Sequence, residues 1–130
     1  MNRILLLTSA IFLAPIFISV AENIYTDILF ILLFLTFAFS QMFWSDPVKQ
    51  SAIHIADSII AKITFLAFVV YTVYIGNATT NYLIALIAIG VFFGLSHHFS
   101  RLEWCSQNHI VCHGLAHLCC AYAITFAFVK

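Results

Sequence analysis

Hydrophobic residues run almost without interruption along this chain, and only a few short polar segments break them. Apolar stretches lie at residues 4–21, 24–44, 51–75, 81–96 and 108–129. Each is close to the ~20 residues that a helix needs to cross the hydrocarbon core of a membrane. The period-2 alternation of a membrane barrel strand is missing from runs such as Ile31-Leu32-Leu33-Phe34-Leu35. The pattern predicts a single all-α integral membrane domain over residues 1–130, a bundle of five transmembrane helices.

The first apolar stretch has a second interpretation. Met1-Asn2-Arg3, followed by an apolar run that ends in Ser19-Val20-Ala21, also resembles a signal peptide with a small-residue cleavage site. The run is longer than the ~7 to 15 residues of a typical signal core, which favours a retained helix. Cleavage would leave a bundle of four helices.

Composition agrees with a membrane protein. Hydrophobic residues make up 64% of the chain and charged residues 8%, and the mean hydropathy is +1.08. These values exclude an ordinary soluble domain and predict membrane lipids as the surroundings. The net charge is zero and no basic run is present, so the sequence predicts no nucleic-acid partner.

The few cations predict the orientation of the bundle. If five helices alternate in direction, Arg3, Lys49 and Arg101 all fall on one side, and only Lys130 lies opposite. The positive-inside rule makes that side cytoplasmic, and a retained first helix then has a cytoplasmic N-terminus. We therefore predict a multi-pass protein of the cell inner membrane or of an endomembrane.

The histidines gather in the predicted cytoplasmic half of the bundle, together with Ser40, Ser51 and Asp57. One-sided clustering of polar groups in such an apolar chain indicates a functional site. The six histidines are His54, His97, His98, His109, His113 and His117.

The last predicted helix carries His109, His113 and His117 at intervals of four residues, so their side chains share one face. A His-x-x-x-His pair gives two nitrogens to one metal ion, and a third ligand from another helix leaves a position open for water, as catalytic zinc sites require. We predict His113 and His117 as zinc ligands and His54 as the third. Asp57 is costly at its depth, which predicts that it faces the bundle interior and pairs with a histidine, a water or the metal.

The segment His113-Gly114-Leu115-Ala116-His117-Leu118 resembles the His-x-x-x-His motif in the last helix of the CREST superfamily of membrane hydrolases, which includes alkaline ceramidases and the progestin and adipoQ receptors. Ser40 and the segment around Asp57 are similar to the serine and aspartate that this superfamily carries on two consecutive helices. The resemblance implies zinc held by His113 and His117, Asp57 acting on the zinc-bound water, and Ser40 assisting. It also implies a lipid substrate, often an amide.

The chain departs from the superfamily pattern in two ways. The superfamily normally has seven helices, whereas five at most are predicted here. Its first zinc histidine follows the serine by four residues, and in this chain that position is Trp44. His54 on the next helix is our predicted replacement, with His97 or His98 of the fourth helix as alternatives.

The leading hypothesis is therefore a zinc-dependent membrane hydrolase that cleaves a lipid amide or ester near the cytoplasmic leaflet. One alternative is a protein that binds haem b through histidines of two helices. Another is a non-enzymatic membrane subunit, or a small transporter in which Asp57, Lys62 and the histidines form a relay. Histidines that only join neighbouring helices by hydrogen bonds would also give this pattern.

Gly90 and Gly94 form a small-x-x-x-small pattern on the fourth predicted helix. Such a pattern lets two helices approach closely in a membrane. We expect the fourth helix to pack through this face, either against another helix of the chain or against a second copy in a homo-oligomer.

Overall fold

The computed structural model of the protein describes residues 3–19 and 22–129. Within these residues the chain is helical, and the helices follow one another through short connectors. The elements are α1 (Arg3–Ala10), a 3₁₀ turn (Ile11–Leu13), α2 (Ala14–Ile18), α3 (Ile24–Ser45), α4 (Ala52–Tyr74), α5 (Thr80–Leu102) and α6 (Gln107–Thr125).

Each of the long helices begins with a side-chain oxygen that accepts backbone N–H groups of its first turn. Asn23 forms a reciprocal capping box with Thr26 at the start of α3. The N-cap residues of α4, α5 and α6 are Ser51, Thr79 and Ser106. These caps satisfy donors that a helix end would otherwise leave unpaired.

The first predicted span is not one continuous α-helix. Residues 20 and 21 of that span lie outside the described residues, and the rest is divided into α1, the 3₁₀ turn and α2. Pro15 stands at the start of α2. Because proline has no N–H, it cannot donate to the carbonyl one turn earlier, and the chain tightens just before it.

Helix α5 is longer than the fourth predicted span, residues 81–96, whose boundaries in the membrane stay a prediction. α5 continues to Leu102, so His97 and His98 lie within the helix and the connector to α6 is reduced to residues 103–106. A hydrophobicity boundary marks where a helix leaves an apolar environment, whereas the helical backbone continues through the polar turns beyond it. The other predicted spans agree with α3, α4 and α6 to within a few residues.

The two hairpins α3–α4 and α5–α6 are joined by the first helix. α3 packs against α4, α5 packs against α6, and α1 contacts both α3 and α6. Leu5 and Ser9 of α1 are fully buried. The amide of Gln41 on α3 donates to the carbonyl of Leu6 at 2.8 Å and to the hydroxyl of Ser9 at 2.7 Å, so polar bonds also hold α1 in place.

Three of the described helices are long and apolar enough to cross a membrane: α3, α4 and α5. The first helical segment is apolar but shorter. α6 has 19 residues and includes three histidines. Fold class and the presence of long apolar helices thus agree with the sequence prediction, and the number of spans stays a prediction.

The connectors that carry the cations meet at one end of the bundle. The Lys49 ammonium donates to the carbonyl of Ser100 at 3.2 Å and lies 5.3 Å from the centre of the Trp104 ring. The Trp104 indole N–H donates to the carbonyl of Pro47 at 3.1 Å. This end, which we call the basic end, also holds the histidines.

The opposite end is closed by Asn77 in the α4–α5 connector. Its side-chain amide donates to the carbonyl of Phe126 at 3.0 Å and to that of Val129 at 2.6 Å. These two bonds tie the connector to the chain that follows α6.

Candidate functional site

Three histidine rings of α6 form a continuous column at the basic end. The ring centres of His109 and His113 are 5.9 Å apart, and those of His113 and His117 are 4.7 Å apart. His109 is 2% exposed and His117 is 4% exposed. The predicted stripe is therefore present, and it faces the interior of the bundle.

His117 and His113 are each oriented by a hydroxyl group from another helix. The Thr8 hydroxyl of α1 lies 3.0 Å from Nδ1 of His117, and the Ser96 hydroxyl of α5 lies 3.0 Å from Nδ1 of His113. The same Thr8 hydroxyl can donate its only proton to the carbonyl of Leu5, at 3.4 Å. Thr8 then accepts from the Nδ1–H of His117, and the Nε2 lone pair of His117 is left unprotonated.

This tautomer is the one that binds metals through Nε2. Metal-ligating histidines typically donate their other ring N–H to an oxygen that fixes the orientation of the ring. With Nδ1 protonated, His117 would donate to the Thr8 hydroxyl and His113 to the Ser96 hydroxyl. In this tautomer the pair has the outer hydrogen bonds of a metal site.

His54 and His109 have a different role, because each completes the N-terminal cap of its own helix. In α4 the Ser51 hydroxyl accepts the backbone N–H of His54 at 3.1 Å, while Nδ1 of His54 accepts the backbone N–H of Gln50 at 2.9 Å. In α6, Ser106 and His109 make the same two bonds, the second from the N–H of Cys105 at 3.1 Å. The arrangement resembles a capping box in which histidine takes the place of glutamate.

The two caps also share a backbone feature. Gln50 has φ +63° and Cys105 has φ +59°, the left-handed region that non-glycine residues seldom adopt. Each of these residues directly precedes the N-cap serine, and the turn aims its N–H at the histidine four residues later. Because Nδ1 accepts from a backbone N–H, the neutral rings of His54 and His109 carry their proton on Nε2.

The described contacts of His54 lie at the α4 cap, and its role as the third metal ligand stays a prediction. Its ring stacks on Phe43, with centres 4.6 Å apart and planes 10° apart, and its other ring neighbour is Trp104 at 5.3 Å. Its unprotonated nitrogen is used by the cap. Over residues 3–19 and 22–129 no group of three or more His, Cys, Asp and Glu side chains that could hold a metal ion is found.

Trp44 lies against the histidine column and fills the space next to His113. Its ring centre is 5.0 Å from that of His113 and 6.1 Å from that of His109. The side chain is 1% exposed, and its Nε1 has no hydrogen-bond partner within the described part of the chain. An unpaired buried donor costs about 1 to 3 kcal/mol, so an acceptor from outside the described chain is expected beside it.

Ser40 and Asp57 lie at the α3–α4 interface. Two contacts bracket them: the hydroxyls of Thr36 and Thr64 are 2.7 Å apart on one side, and the Phe43 and His54 rings stack on the other. Asp57 comes seven residues before Thr64, two helical turns, so it shares the face of α4 that contacts α3. Ser40 is buried and Asp57 is half-buried.

The carboxyl group of Asp57 is therefore near α3, whereas the direct contacts of the histidine pair come from other elements. Thr8 and Phe12 contact His117, and Trp44, Phe93 and Ser96 surround His113. The sequence predicted a histidine, a water or the metal as the partner of Asp57. A histidine is not among its contacts in the described residues, and the other two partners stay predictions.

His97 and His98, the alternative third ligands, are exposed on α5. Cys105, in the connector before α6, is half-buried, and this burial raises the pKa of its thiol. The thiol therefore stays protonated at neutral pH and is a poor nucleophile.

The comparisons with known proteins add no relative to this description. No family model, curated protein or solved structure matches the chain. The resemblance to the CREST superfamily consequently rests on the short motifs around Ser40, Asp57 and the histidine pair.

The residues present fit part of a zinc site. His113 and His117 have suitable spacing and outer hydroxyl neighbours, and the Trp44 ring next to His113 carries an N–H without a partner among the described residues. A third protein ligand is not found with them among the described residues. The described residues therefore supply two of the three protein ligands that a catalytic zinc site typically has, and a zinc cofactor stays a prediction.

Proposed function

We propose that this protein is a multi-pass membrane hydrolase that uses a metal ion, zinc by preference, to cleave a lipid amide or ester at the basic end of the bundle. The proposal places that end at the cytoplasmic leaflet, following the positive-inside rule. Its support is the fixed histidine pair in a chain that is otherwise strongly apolar.

The single observation that carries the proposal is the buried N–H of Trp44 beside His113. An unpaired buried donor costs about 1 to 3 kcal/mol, and an acceptor bound beside it removes that cost. A reacting carbonyl or a water molecule held next to His113 and His117 would accept this N–H. Trp44 thus has a positioning role. It stands four residues after Ser40, the position at which the CREST superfamily has its first zinc histidine.

Other side chains orient the two histidines, exclude water from them and accept a proton. Thr8 and Ser96 hold the two imidazoles in one orientation, while Phe12 and Phe93 keep bulk water away from them. Zinc, when bound, supplies a Lewis acid that polarises a carbonyl group and activates water. Asp57 and Ser40 serve as a proton acceptor and a hydrogen-bonding group on the α3–α4 side, which requires a water chain or a movement of α4 towards α6.

Metal content of the detergent-purified protein tests the proposal. We expect close to one zinc per chain in the wild type, loss of zinc in His113→Ala and His117→Ala, and retention in His98→Ala, whose imidazole is exposed. Full occupancy in the His113→Ala, His117→Ala double variant would exclude this site. A strong Soret absorbance band would instead assign the histidines to haem b, and neither metal nor colour would favour the subunit or transporter alternative.

Trp44→Phe removes the N–H donor and also makes the buried ring smaller. We expect unchanged zinc content, a thermal stability lowered by the cavity that the smaller ring leaves, and a drop in hydrolysis of about 100-fold on a short-chain lipid amide or ester. Trp104→Phe is the matched control, because its N–H already donates to Pro47. Equal activity losses in the two variants would show that Trp44 has no special role.

A further inference from the structure

The last turns of α5 carry exposed cationic and imidazole side chains that the proposed hydrolase site does not use. A cavity of about 440 Å³ is lined by Gly94, His97, His98, Arg101 and Leu102. The side chains of His97, His98 and Arg101 are all exposed. Positions three and four residues apart share a helix face, so Arg101 stands one turn beyond the two histidines on the same side of α5.

The face of α5 that carries Gly90 and Gly94 is uncovered next to this cavity, and we call this face the groove. Neither Gly90 nor Gly94 would bring an added Cβ within 4 Å of another atom, so no other part of the described chain covers them. The intrachain packing that the Gly90-x-x-x-Gly94 pattern predicted is therefore absent within residues 3–19 and 22–129. The face is free for an occupant from outside the chain.

The dimensions of this face fit one phospholipid. Gly90 and Arg101 are separated by 11 positions, which correspond to about 16 Å along a helix. Half of a membrane's hydrocarbon core measures about 15 Å. When Arg101 lies at headgroup depth, the groove over the two glycines spans the acyl-chain region of one leaflet.

The charges at the end of the groove favour an anionic headgroup. Arg101 presents a planar guanidinium that suits the oxygens of a phosphate. Lys49 adds a second cation close by, because its ammonium is bonded to the carbonyl of Ser100. Glu103 is the acidic residue nearest in sequence, and it lies beyond the end of α5.

We propose that this face binds an anionic glycerophospholipid of the surrounding leaflet. Arg101 and the ring N–H groups of His97 and His98 hold the phosphate, and one acyl chain lies over Gly90 and Gly94. The proposal is independent of metal binding and of hydrolysis, because none of these side chains contacts His113 or His117.

Native mass spectrometry of the detergent-purified full chain tests this site, with phosphatidylglycerol and phosphatidylcholine as probes. We expect the wild type to retain phosphatidylglycerol preferentially. Arg101→Gln should lower that retention about fivefold, as the loss of one cation at a membrane surface predicts, and the His97→Gln, His98→Gln variant should also lower it. Arg3→Gln, which removes a cation of the same end but outside the cavity, should retain it unchanged.

Gly94→Leu distinguishes the occupants of the groove. A leucine side chain should displace the acyl chain and lower phosphatidylglycerol retention, without altering the oligomer size. A change of oligomer size with unchanged lipid retention would assign the face to a second copy of the chain and overturn the proposal. Three other results would also overturn the proposal. They are equal retention of both lipids by the wild type, equal losses of retention in Arg101→Gln and Arg3→Gln, and retention of inorganic phosphate to the same extent as phosphatidylglycerol.

Discussion

The hydroxyl of Thr8 lies 3.0 Å from Nδ1 of His117, and this contact joins the first helix to the last across 109 positions of sequence. It gives the first helix two functions at once, since α1 both fills the core next to α3 and orients a histidine of the candidate site. Phe12, one turn further along, packs its ring edge against the same imidazole at 4.9 Å.

Thr8→Val tests this contact. Valine keeps the shape of threonine but removes the hydroxyl, so we expect the free energy of unfolding to fall by about 0.6 to 1 kcal/mol and zinc affinity to fall with it. Thermal unfolding and metal content in detergent measure the two effects. Thr125→Val is the control, because the Thr125 hydroxyl bonds only to Tyr122 of its own helix; equal effects of the two variants would contradict a special role for Thr8.

The Ser51–His54 cap gives a second prediction. Ser51→Ala should lower the stability by about 1 kcal/mol, as the loss of an N-cap typically does. Because Ser51 and His54 form one reciprocal cap, His54→Ala added to Ser51→Ala should cost less than the sum of the two single changes. Additive losses would show that the two bonds act separately. His54→Ala should also leave the bound zinc in place, and loss of zinc in this variant would restore His54 as a ligand.

Asp57 should limit stability while serving function. A half-buried carboxylate in an apolar helix is unfavourable, because burial removes the water that solvates its charge. We therefore expect Asp57→Asn to raise the melting temperature by a few degrees and to abolish hydrolysis with zinc retained. Asp27→Asn should instead lower the melting temperature slightly, because Asp27 is exposed in the first turn of α3, where a negative charge is favourable. A lower melting temperature in Asp57→Asn would indicate that the carboxylate has a stabilising partner.

The orientation of the bundle can be tested by labelling single cysteines in a variant whose four native cysteines are replaced by alanine. Val48, in the connector before α4, and Thr80, at the start of α5, are both exposed and lie at opposite ends of the bundle. With the basic end in the cytoplasm, an impermeant maleimide added to intact cells should label Thr80→Cys and fail to label Val48→Cys. The opposite pattern would move the candidate site to the outer leaflet.

Sequence patterns were sufficient for the helices because the apolar stretches and the cap residues are local signals. They were less informative at α5, where His97 and Arg101 end the apolar stretch before the helix ends, and at Pro15, where a proline inside an apolar run divides the first helix. The histidine column also followed from sequence spacing. The partners of its rings did not, because Thr8 and Ser96 come from helices that meet α6 only after packing.

The role of His54 shows a different limit. Ser-x-x-His occurs at Ser51–His54 and again at Ser106–His109, and this repeat is visible in the sequence as a capping signal. Each ring accepts the backbone N–H of a residue with positive φ, Gln50 or Cys105. A glycine at these positions would have indicated such a conformation, but glutamine and cysteine do not. A ligand role and a capping role for histidine were therefore indistinguishable before the backbone was known.

The amide of Asn77 has a consequence for covalent modification. Asn77-Ala78-Thr79 is an acceptor sequence for N-linked glycosylation, and the atom that would carry the sugar is the same Nδ2 that donates to the carbonyls of Phe126 and Val129. A glycan would leave Nδ2 with one hydrogen and place a bulky group next to residues 126–129. In the folded protein both hydrogens of Nδ2 are used, so in a secretory pathway the sugar could be added only while at least one of these two bonds is open.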